Sequence, residues 1–236
     1  MKSYIDYEGN FIKGKKCGNG KEFQHLNLLY EGEFSNDKRS GYGKEYDSGN
    51  IIFEGQFLDG KRWEGFGKEI KHSEIIFEGE YKKGKRNGKG KEYYYGSLDG
   101  EFSIKFIGNY LEGERNGKWI EYFEGGKIKF IGDFFKGGYN NGKGFNTNKK
   151  EIFEIKNGEG NIRIYNNENQ IEYEGEYKNY RYWNGKEFVF KHSNVVYKLF
   201  YLEAAIIRLQ EYNINTGDLV FEGEIINGTL KKRKRI

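Results

Sequence analysis

Three segments of the sequence are similar to the first part of a phosphate-binding loop, in which glycines and a lysine surround a nucleotide phosphate. They run from Gly9 to Lys15, from Gly55 to Lys61 and from Gly79 to Lys85, each with the pattern G-x-x-x-x-G-K. The next residue should be Ser or Thr, whose hydroxyl binds Mg²⁺. Here it is a cation in all three segments, so we expect no nucleotide site.

The other side chains with catalytic or metal-binding chemistry are scattered. His25, His72 and His192 lie far apart, without Cys or His at metal-site spacing, and we expect them in turns or at strand ends. Cross-strand pairing with lysine explains the many glutamates better than acid–base catalysis does. Cys17 is the only cysteine, in a Gly-rich segment that we expect to be a turn. The sequence thus predicts a protein that is not an enzyme, with no catalytic residue, cofactor or metal site.

The composition excludes disorder. Of 236 residues, 36% are hydrophobic, 20 are Tyr, 19 are Phe and 35 are Gly. Disordered chains contain few aromatic residues. No basic N-terminal segment leads into an apolar run, and no stretch is apolar over eighteen residues. We therefore expect a soluble, cytoplasmic protein.

The positive charge is concentrated near the C-terminus. The net charge is +4, and residues 231–235 read KKRKR. Without these five, 35 Lys and Arg face 36 Asp and Glu, so the rest of the chain is balanced. A nucleic-acid-binding face needs an excess of basic residues along a surface. We therefore expect no nucleic acid partner.

An aromatic-x-Gly-x-aromatic motif recurs along the whole sequence. Clear copies read YEGEF, FEGQF, FEGEY and FIGDF. We call the two aromatics the first ring and the second ring of a repeat. Successive first rings are mostly 23 or 24 residues apart, a spacing typical of repeat proteins. The predicted repeat starts, some of them degenerate, are Tyr7, Tyr30, Phe53, Phe77, Phe106, Phe130, Phe153, Tyr173, Tyr197 and Phe221.

Each repeat is predicted to be a β-hairpin. Side chains alternate from Tyr30 to Phe34, so the rings and Gly32 face one side and two glutamates face the other. Asn-Gly is the strongest short hairpin signal. Turns between repeats are predicted at 47–50 and 124–127. Within repeats, turns are predicted at Asn87-Gly88, Asn116-Gly117, Asn141-Gly142 and Asn184-Gly185.

Glycine between two rings leaves bare backbone, on which a ring from a neighbouring strand can lie. Cross-strand aromatic pairs contribute roughly 0.2–1 kcal/mol each. A sheet with one aromatic face and one charged face then needs no second layer. The predicted fold class is all-β: an extended, single-layer, twisted antiparallel sheet of about ten tandem hairpins. It forms one array over residues 1–230, followed by a basic tail at 231–236.

These motifs resemble the MORN (membrane occupation and recognition nexus) repeat family. The pattern recurs from Tyr7 to Gly228 and is weak at 153–170 and 194–216. The resemblance implies single-layer sheets that act mostly as scaffolds, often in cytoskeletal, ciliary or membrane-junction settings. It also implies phosphoinositide binding in some members. The second ring is Phe or Tyr here, where the family often has Trp.

The segment from Asn194 to Gly217 has two interpretations. Five residues, beginning with Leu202 and ending with Tyr212, recur at helical spacing, which favours a short helix or irregular cap near 200–212. The segment YLEAAIIRLQEY also aligns with residues 110–122, which favours a diverged hairpin. Either structure suits the end of an array.

We expect the protein to be a scaffold or adaptor that binds partner proteins, with self-association as an alternative, because exposed rings at this density mark binding surfaces. The other interpretation of the rings is that they stack on one another within the sheet and leave no surface for a partner. The alternative function is peripheral binding to anionic membrane lipids through Lys231, Lys232, Arg233, Lys234 and Arg235; the same run is similar to a nuclear import signal. The candidate partner-binding rings are Tyr30, Phe34, Phe53, Phe57, Phe77, Tyr81, Phe106, Tyr110, Phe130 and Phe134.

Overall fold

A computed structural model of the chain describes residues 6–96, 104–192 and 194–235. Every regular element within these ranges is a β-strand. The chain divides into two compact units, Met1–Glu114 and Arg115–Ile236, which we call unit 1 and unit 2.

Unit 1 is built from strands β1 to β9. Each strand is paired antiparallel with its neighbours in sequence, so the order in the sheet follows the chain. The strands are β1 (Tyr7–Ile12), β2 (Lys15–Gln24), β3 (Asn27–Ser35), β4 (Lys38–Asp47), β5 (Asn50–Leu58), β6 (Lys61–Lys71), β7 (Glu74–Lys82), β8 (Lys85–Tyr93) and β9 (Ile104–Leu111).

Unit 2 holds the remaining strands. Strands β10 to β13 pair in chain order, and β14 to β20 form a separate seven-stranded sheet, again in chain order. The strands are β10 (Glu114–Tyr122), β11 (Ile128–Phe135), β12 (Gly138–Phe145), β13 (Glu151–Ile155), β14 (Gly160–Tyr165), β15 (Ile171–Lys178), β16 (Arg181–Lys191), β17 (Asn194–Leu202), β18 (Ala205–Tyr212), β19 (Leu219–Ile226) and β20 (Thr229–Arg235).

Tight two-residue turns join the strands of the hairpins. Between β3 and β4, Asn36 and Asp37 have φ angles of 48° and 68°. Positive φ at both positions gives the turn type that matches strand twist. The predicted turn at Ser48-Gly49 is confirmed, and so is the one at 124–127.

The Asn-Gly pairs do not form the turns that the sequence predicts within repeats. Asn87-Gly88 lies inside β8, and the turn is four residues earlier, at Lys83-Gly84. The other three Asn-Gly pairs lie inside β10, β12 and β16 in the same way. These four turn predictions are therefore wrong, although each hairpin exists.

The Asn-Gly pair of β8 occupies a β-bulge. Gly79 is opposite Gly90 and Tyr81 is opposite Arg86, so two residue steps on β7 face four on β8. Gly88 inside the bulge has a φ of 99°, which favours glycine. A dipeptide typical of turns therefore marks an irregular position within a strand.

Hairpin turns also hydrogen-bond to the preceding repeat. In unit 1, the backbone N–H of Gly60 donates to the carbonyl oxygen of Arg39 at 2.9 Å. In unit 2, the N–H of Ala204 donates to the carbonyl oxygen of Trp183 at 2.8 Å. Successive repeats are thus joined at their turns as well as along their strands.

The segment near 200–212 is a hairpin of β17 and β18, and the helix or irregular cap is wrong. Glu203 and Ala204 form its turn, with φ angles of 49° and 63°. Leu199 lies directly opposite Leu209, so these side chains pair across strands. Leu202, which would begin the helical apolar face, is 52% exposed beside the turn.

The predicted all-β array of antiparallel hairpins is confirmed, but its strands divide between two sheets. In unit 2, β13 ends one sheet and β14 begins the next, with an isolated bridge between Lys156 and Glu159. The two sheets touch, because the backbone N–H of Tyr139 on β12 donates to Oη of Tyr177 on β15 at 2.8 Å. A second layer therefore covers part of the ring-bearing face in unit 2.

Candidate functional site

The ten rings predicted to bind a partner lie in the interior of their sheets. Their exposed fractions range from 0% to 9%. The rings therefore form the core and do not offer an exposed surface. They are Tyr30, Phe34, Phe53, Phe57, Phe77, Tyr81, Phe106, Tyr110, Phe130 and Phe134.

Glycines make this burial possible in a thin sheet. The ring of Tyr30 lies on the backbone of Gly43, which pairs with Gly32 on the adjacent strand. A Cβ atom at Gly43 would lie 2.3 Å from Oη and 2.5 Å from Cζ of Tyr30. A Cβ atom at Gly90 would likewise lie 2.7 Å from Cε2 of Phe77. The prediction that rings lie on bare glycine backbone is confirmed, but the glycine that a neighbouring strand's ring covers here is Gly43 or Gly90 of the paired strand and not the glycine between the two rings.

The rings touch one another edge to face across unit 1. Tyr30 contacts Phe34 of its own repeat and Phe57 of the next, with ring centroids 5.1 Å and 4.9 Å apart. Phe77 contacts Tyr110 in the same way at 5.3 Å. Edge-to-face contacts at these distances stabilise aromatic pairs beyond the area they bury.

Arginines cover the rings from the outer side in unit 1. The guanidinium of Arg39 lies 4.8 Å from the centre of the Tyr30 ring. Its nitrogens lie 2.8 Å from Glu22 and 2.9 Å from Glu45. The cation is therefore held over the ring by two carboxylates, where the ring's quadrupole attracts it.

The same arrangement recurs nine residues after the first ring of other repeats. Arg86 lies 3.9 Å from the centre of the Phe77 ring and binds Glu69 through two hydrogen bonds of 2.8 Å and 2.6 Å. We call this the cation position. The spacing of this position is visible in the sequence, but it belongs neither to the aromatic motif nor to the glycine motif that predict the repeats. In the first five repeats the position is occupied by Lys16, Arg39, Arg62, Arg86 and Arg115.

The ion pairs shift the titration of their partners. Burial raises the pKa of the Glu69 carboxyl, but hydrogen bonds from Arg86 and Tyr81 outweigh it and hold this pKa below its usual value. Burial opposes the hydrogen bonds of Arg39 and Lys16 in the same way at Glu22, whose pKa is also lowered. Both carboxylates are therefore ionised around neutral pH and act as fixed partners of the cations.

The opposite side of the unit 1 sheet carries a row of alternating charges. Lys21 lies 4.0 Å from Glu31, and Lys44 lies 3.5 Å from Glu54. The predicted cross-strand pairing of glutamate with lysine is therefore confirmed. Consecutive strands contribute to this row, in register order, Glu8, Lys21, Glu31, Lys44, Glu54, Phe66 and Glu80. We call this side the polar face.

Aromatic side chains interrupt the charges of the polar face. Tyr42 is 48% exposed and Phe66 is 49% exposed. The hydroxyl of Tyr42 donates to Glu54 at 2.6 Å, and this hydrogen bond raises the pKa of Tyr42 and lowers that of Glu54. Tyr46 donates to Glu31; burial and then this hydrogen bond raise the pKa of Tyr46 to about 12. These phenols are neutral donors on a charged surface.

A shallow groove runs along the polar face over the paired glycines. Its volume is about 560 Å³, and its floor includes Gly20, Gly32 and Gly43. Charged side chains and Tyr42 line its sides. The absence of side chains along the floor lets a partner approach the backbone, while the sides supply charges and a ring.

The residues with catalytic or metal-binding chemistry remain apart. His25, His72 and His192 lie in turns, as predicted, and Cys17 lies in β2 rather than in a turn. The segment from Gly79 to Lys85 runs from β7 through a turn into β8. In the described ranges, no group of three or more His, Cys, Asp or Glu is placed to hold a metal ion. Nor does this part of the chain contain a helix long and apolar enough to span a membrane.

The basic run forms part of strand β20 instead of a separate tail. In register with β19, Lys232 is opposite Glu224 and Lys234 is opposite Glu222. Residues 231–235 therefore continue the sheet, next to acidic positions. Binding to anionic lipids and nuclear import through residues 231–235 stay predictions.

Comparison with known proteins agrees with the repeat pattern. No curated protein matches the chain significantly. The sequence profile of the MORN repeat matches residues 7–23, 30–51, 53–71 and 77–96. These segments start at the first rings Tyr7, Tyr30, Phe53 and Phe77. MORN repeats are a non-enzymatic repeat type found generally in scaffold and membrane-associated proteins. Residues 7–96 therefore contain four MORN repeats, and these are the hairpins that carry the glycine-seated rings of unit 1.

Proposed function

We propose that the protein is a non-catalytic scaffold that binds a partner protein on the polar face of unit 1. The observation that carries this proposal is the pair of half-exposed rings, Tyr42 and Phe66, set among charges of both signs. Aromatic anchors with a polar rim are the usual anatomy of a protein interface. The rings of the core are not available for this role because they are buried.

The side chains of the polar face indicate what kind of partner segment it can bind. An extended segment can lie along the glycine floor of the groove, with charges that complement Lys21, Glu31 and Lys44. An apolar side chain can pack against Tyr42 or Phe66. Such a surface gives specificity by charge alternation and affinity through the rings.

Proximity labelling in cells tests the proposal, with the full chain and a Tyr42→Ala/Phe66→Ala variant. We expect the variant to lose the proteins enriched by the wild type. Leu111→Ala is the matched control, because Leu111 is 53% exposed at the end of β9, away from the glycine floor. An unchanged set of neighbours with the double variant contradicts the proposal. Equal melting temperatures of the purified proteins show that the fold is retained.

A further inference from the structure

The repeat that starts at Tyr197 departs from the charge pattern of the repeats on either side of it. In the repeats that start at Tyr173 and Phe221, the residues one and three positions after the first ring are both glutamates. In the repeat that starts at Tyr197, these two residues are Lys198 and Phe200. A pair of carboxylates is therefore replaced by a cation and a ring in this repeat.

Strand pairing places two further cations and a second ring beside these residues. Lys186 on β16 and Arg208 on β18 both lie directly opposite Phe200, and Phe188 lies directly opposite Lys198. Side chains at directly opposite positions share one side of a sheet, so cations and rings alternate here across three strands. We call the surface made of Lys186, Phe188, Lys198, Phe200 and Arg208 the cationic face.

Two cations of the cationic face lie over its rings. The guanidinium of Arg208 lies 3.9 Å from the centre of the Phe200 ring, and Nζ of Lys198 lies 5.3 Å from the centre of the Phe188 ring. The negative face of an aromatic ring attracts a cation, so each ring helps to position its cation at the surface. A guanidinium stacked in this way keeps N–H groups at its edge for a carboxylate.

The two lysines of the cationic face carry positive charge that the sheet leaves unpaired. Among the residues that the structure describes, neither Lys186 nor Lys198 forms an ion pair. Glu174 lies directly opposite Lys186, but its carboxylate is paired with Arg163 at 3.4 Å. Both lysines are therefore available to an anionic ligand.

A groove crosses the cationic face and continues towards β14. One part has a volume of about 530 Å³ and is lined by Lys186 and Arg208. The next part has a volume of about 720 Å³ and is lined by Lys150, Arg163 and again Lys186. Gly185 lines both parts, so bare backbone lies where they meet. An extended segment laid in this groove would pass one cation after another.

We propose that the cationic face binds an extended, acidic segment of a partner protein. Arg163, Lys186 and Arg208 lie in one register row on every second strand, so successive cations are about 9.6 Å apart. An extended chain advances about 3.3 Å per residue, so acidic residues at every third position are about 10 Å apart. The rings of Phe188 and Phe200 offer apolar contact to the residues between them.

Carboxylates border the cationic face on both sides, which favours a narrow protein segment over a nucleic acid or a membrane. Glu174 lies on β15, and Glu222 on β19 lies 3.6 Å from Arg208. A nucleic acid backbone or an anionic bilayer spreads its charge over a wider area and would meet these carboxylates. The proposal does not depend on the role of the polar face of unit 1, where charges of both signs alternate.

Fluorescence anisotropy with synthetic peptides tests the proposal, using the full chain at about 50 mM salt, where screening is weak. The probe is a fluorescein-labelled peptide of four Glu-Thr-Thr triplets, and a labelled peptide of four Gln-Thr-Thr triplets is its neutral counterpart. We expect the glutamate peptide to bind at least tenfold more tightly than the glutamine peptide. Raising the salt to about 500 mM should weaken its binding at least tenfold, because the charges are then screened.

Reversing the two unpaired lysines locates the binding. Lys186→Glu/Lys198→Glu should lower the affinity for the glutamate peptide at least tenfold. Lys61→Glu/Lys85→Glu is the matched control, because it makes the same change of charge at two exposed lysines of unit 1 and should bind the peptide as the wild type does. Equal melting temperatures show that the folds are retained. If the first variant does not fold, Lys186→Gln at an exposed side chain replaces it and should weaken binding at least threefold.

Equal binding of the two peptides overturns the proposal, and so does equal weakening by the two double variants. A twelve-nucleotide oligothymidine and vesicles that contain phosphatidylserine are the competing ligands. If either binds more tightly than the glutamate peptide and loses that binding in Lys186→Glu/Lys198→Glu, the proposal is also wrong. Tyr42→Ala/Phe66→Ala should bind the glutamate peptide as the wild type does; a loss there would place the binding on the polar face and contradict the proposal.

Discussion

The repeat that starts at Tyr30 in unit 1 and the repeat that starts at Phe130 in unit 2 cover their rings in different ways. In unit 1 the Arg39 guanidinium lies over Tyr30 and is held by two carboxylates. In unit 2 the equivalent residue is Tyr139, which packs against the neighbouring sheet. A guanidinium can face water on its outer side, but burying it under a second sheet would remove that hydration at a large energetic cost. In these two repeats, the residue at the cation position differs with what covers the ring: solvent lies beyond Arg39, and a neighbouring sheet packs on Tyr139.

Truncating a first ring should have the largest effect on the free energy of unfolding. The loss should be larger for a buried first ring than for a partly exposed one. Phe53 is 0% exposed, so Phe53→Ala should lower the free energy of unfolding by about 3–5 kcal/mol. Tyr197→Ala, at a ring that is 38% exposed, should cost about 1 kcal/mol or less when measured at low protein concentration. Urea denaturation followed by circular dichroism measures both. Equal losses would mean that the two regions do not differ in how they bury their rings.

Filling a glycine slot should have the next largest effect. Gly43→Ala places a Cβ atom within 2.6 Å of three atoms of Tyr30, which must move, so we expect a loss of about 1–3 kcal/mol. Gly49→Asn is the control, because Gly49 lies in a turn at φ 80° with no heavy atom within 4 Å, and Asn tolerates that conformation. Thermal melting compares the variants. If Gly43→Ala and the control have the same melting temperature, the packing of the rings does not require bare glycine backbone.

Removing one cation should have a smaller effect, confined to unit 1. Arg39→Met leaves Glu22 and Glu45 without their shared partner and should cost about 1–2 kcal/mol. Hydrogen exchange with mass spectrometry should show faster opening in peptides of β2 to β4 and unchanged exchange in unit 2. Faster exchange in both units would contradict a local role for the cation.

The pH dependence of stability should be the smallest effect. The pKa of Glu22 is lower in the folded protein than its usual value of 4.5. Its ion pairs therefore stabilise the fold above pH 4.5 and lose this effect as the pH falls through the folded pKa. Glu22→Gln should be less stable than wild type at neutral pH and should lose less stability on acidification. Glu203→Gln, in an exposed turn, is the control. Its free energy of unfolding, measured by urea denaturation at neutral pH and at a pH below 4.5, should equal that of the wild type.

The sequence predicts the hairpins, their spacing and the seating of rings on glycine, because each of these depends on a local motif that repeats. It does not predict how deeply the rings are buried. Arg39 and Arg86 look like solvent-facing charges in a sequence that is 32% charged, and their role requires knowing which way the strand faces after a bulge. The division into two sheets depends on contacts such as Tyr139 with Tyr177, which no single repeat encodes.

The Asn-Gly pairs show how a local rule fails. Asn87-Gly88 has the chemistry of a two-residue turn, yet Lys83-Gly84 makes the turn and the pair lies in a bulge. A glycine with positive φ is needed both in the Lys83-Gly84 turn and in the bulge at Asn87-Gly88. The sequence alone does not predict which of the two pairs closes the hairpin. The bulge that sets Arg86 opposite Tyr81 could not be derived from composition or period.

The hydrogen bonds from each turn to the repeat before it have a consequence for assembly of the chain. Gly60 reaches back to Arg39, 21 positions earlier, and Ala204 reaches back to Trp183 over the same separation. Contacts of such short range let a newly formed hairpin template the next one, without waiting for distant segments to meet. Under mechanical tension such an array should release its hairpins one after another from a free end, and its extension should grow in steps of about one repeat.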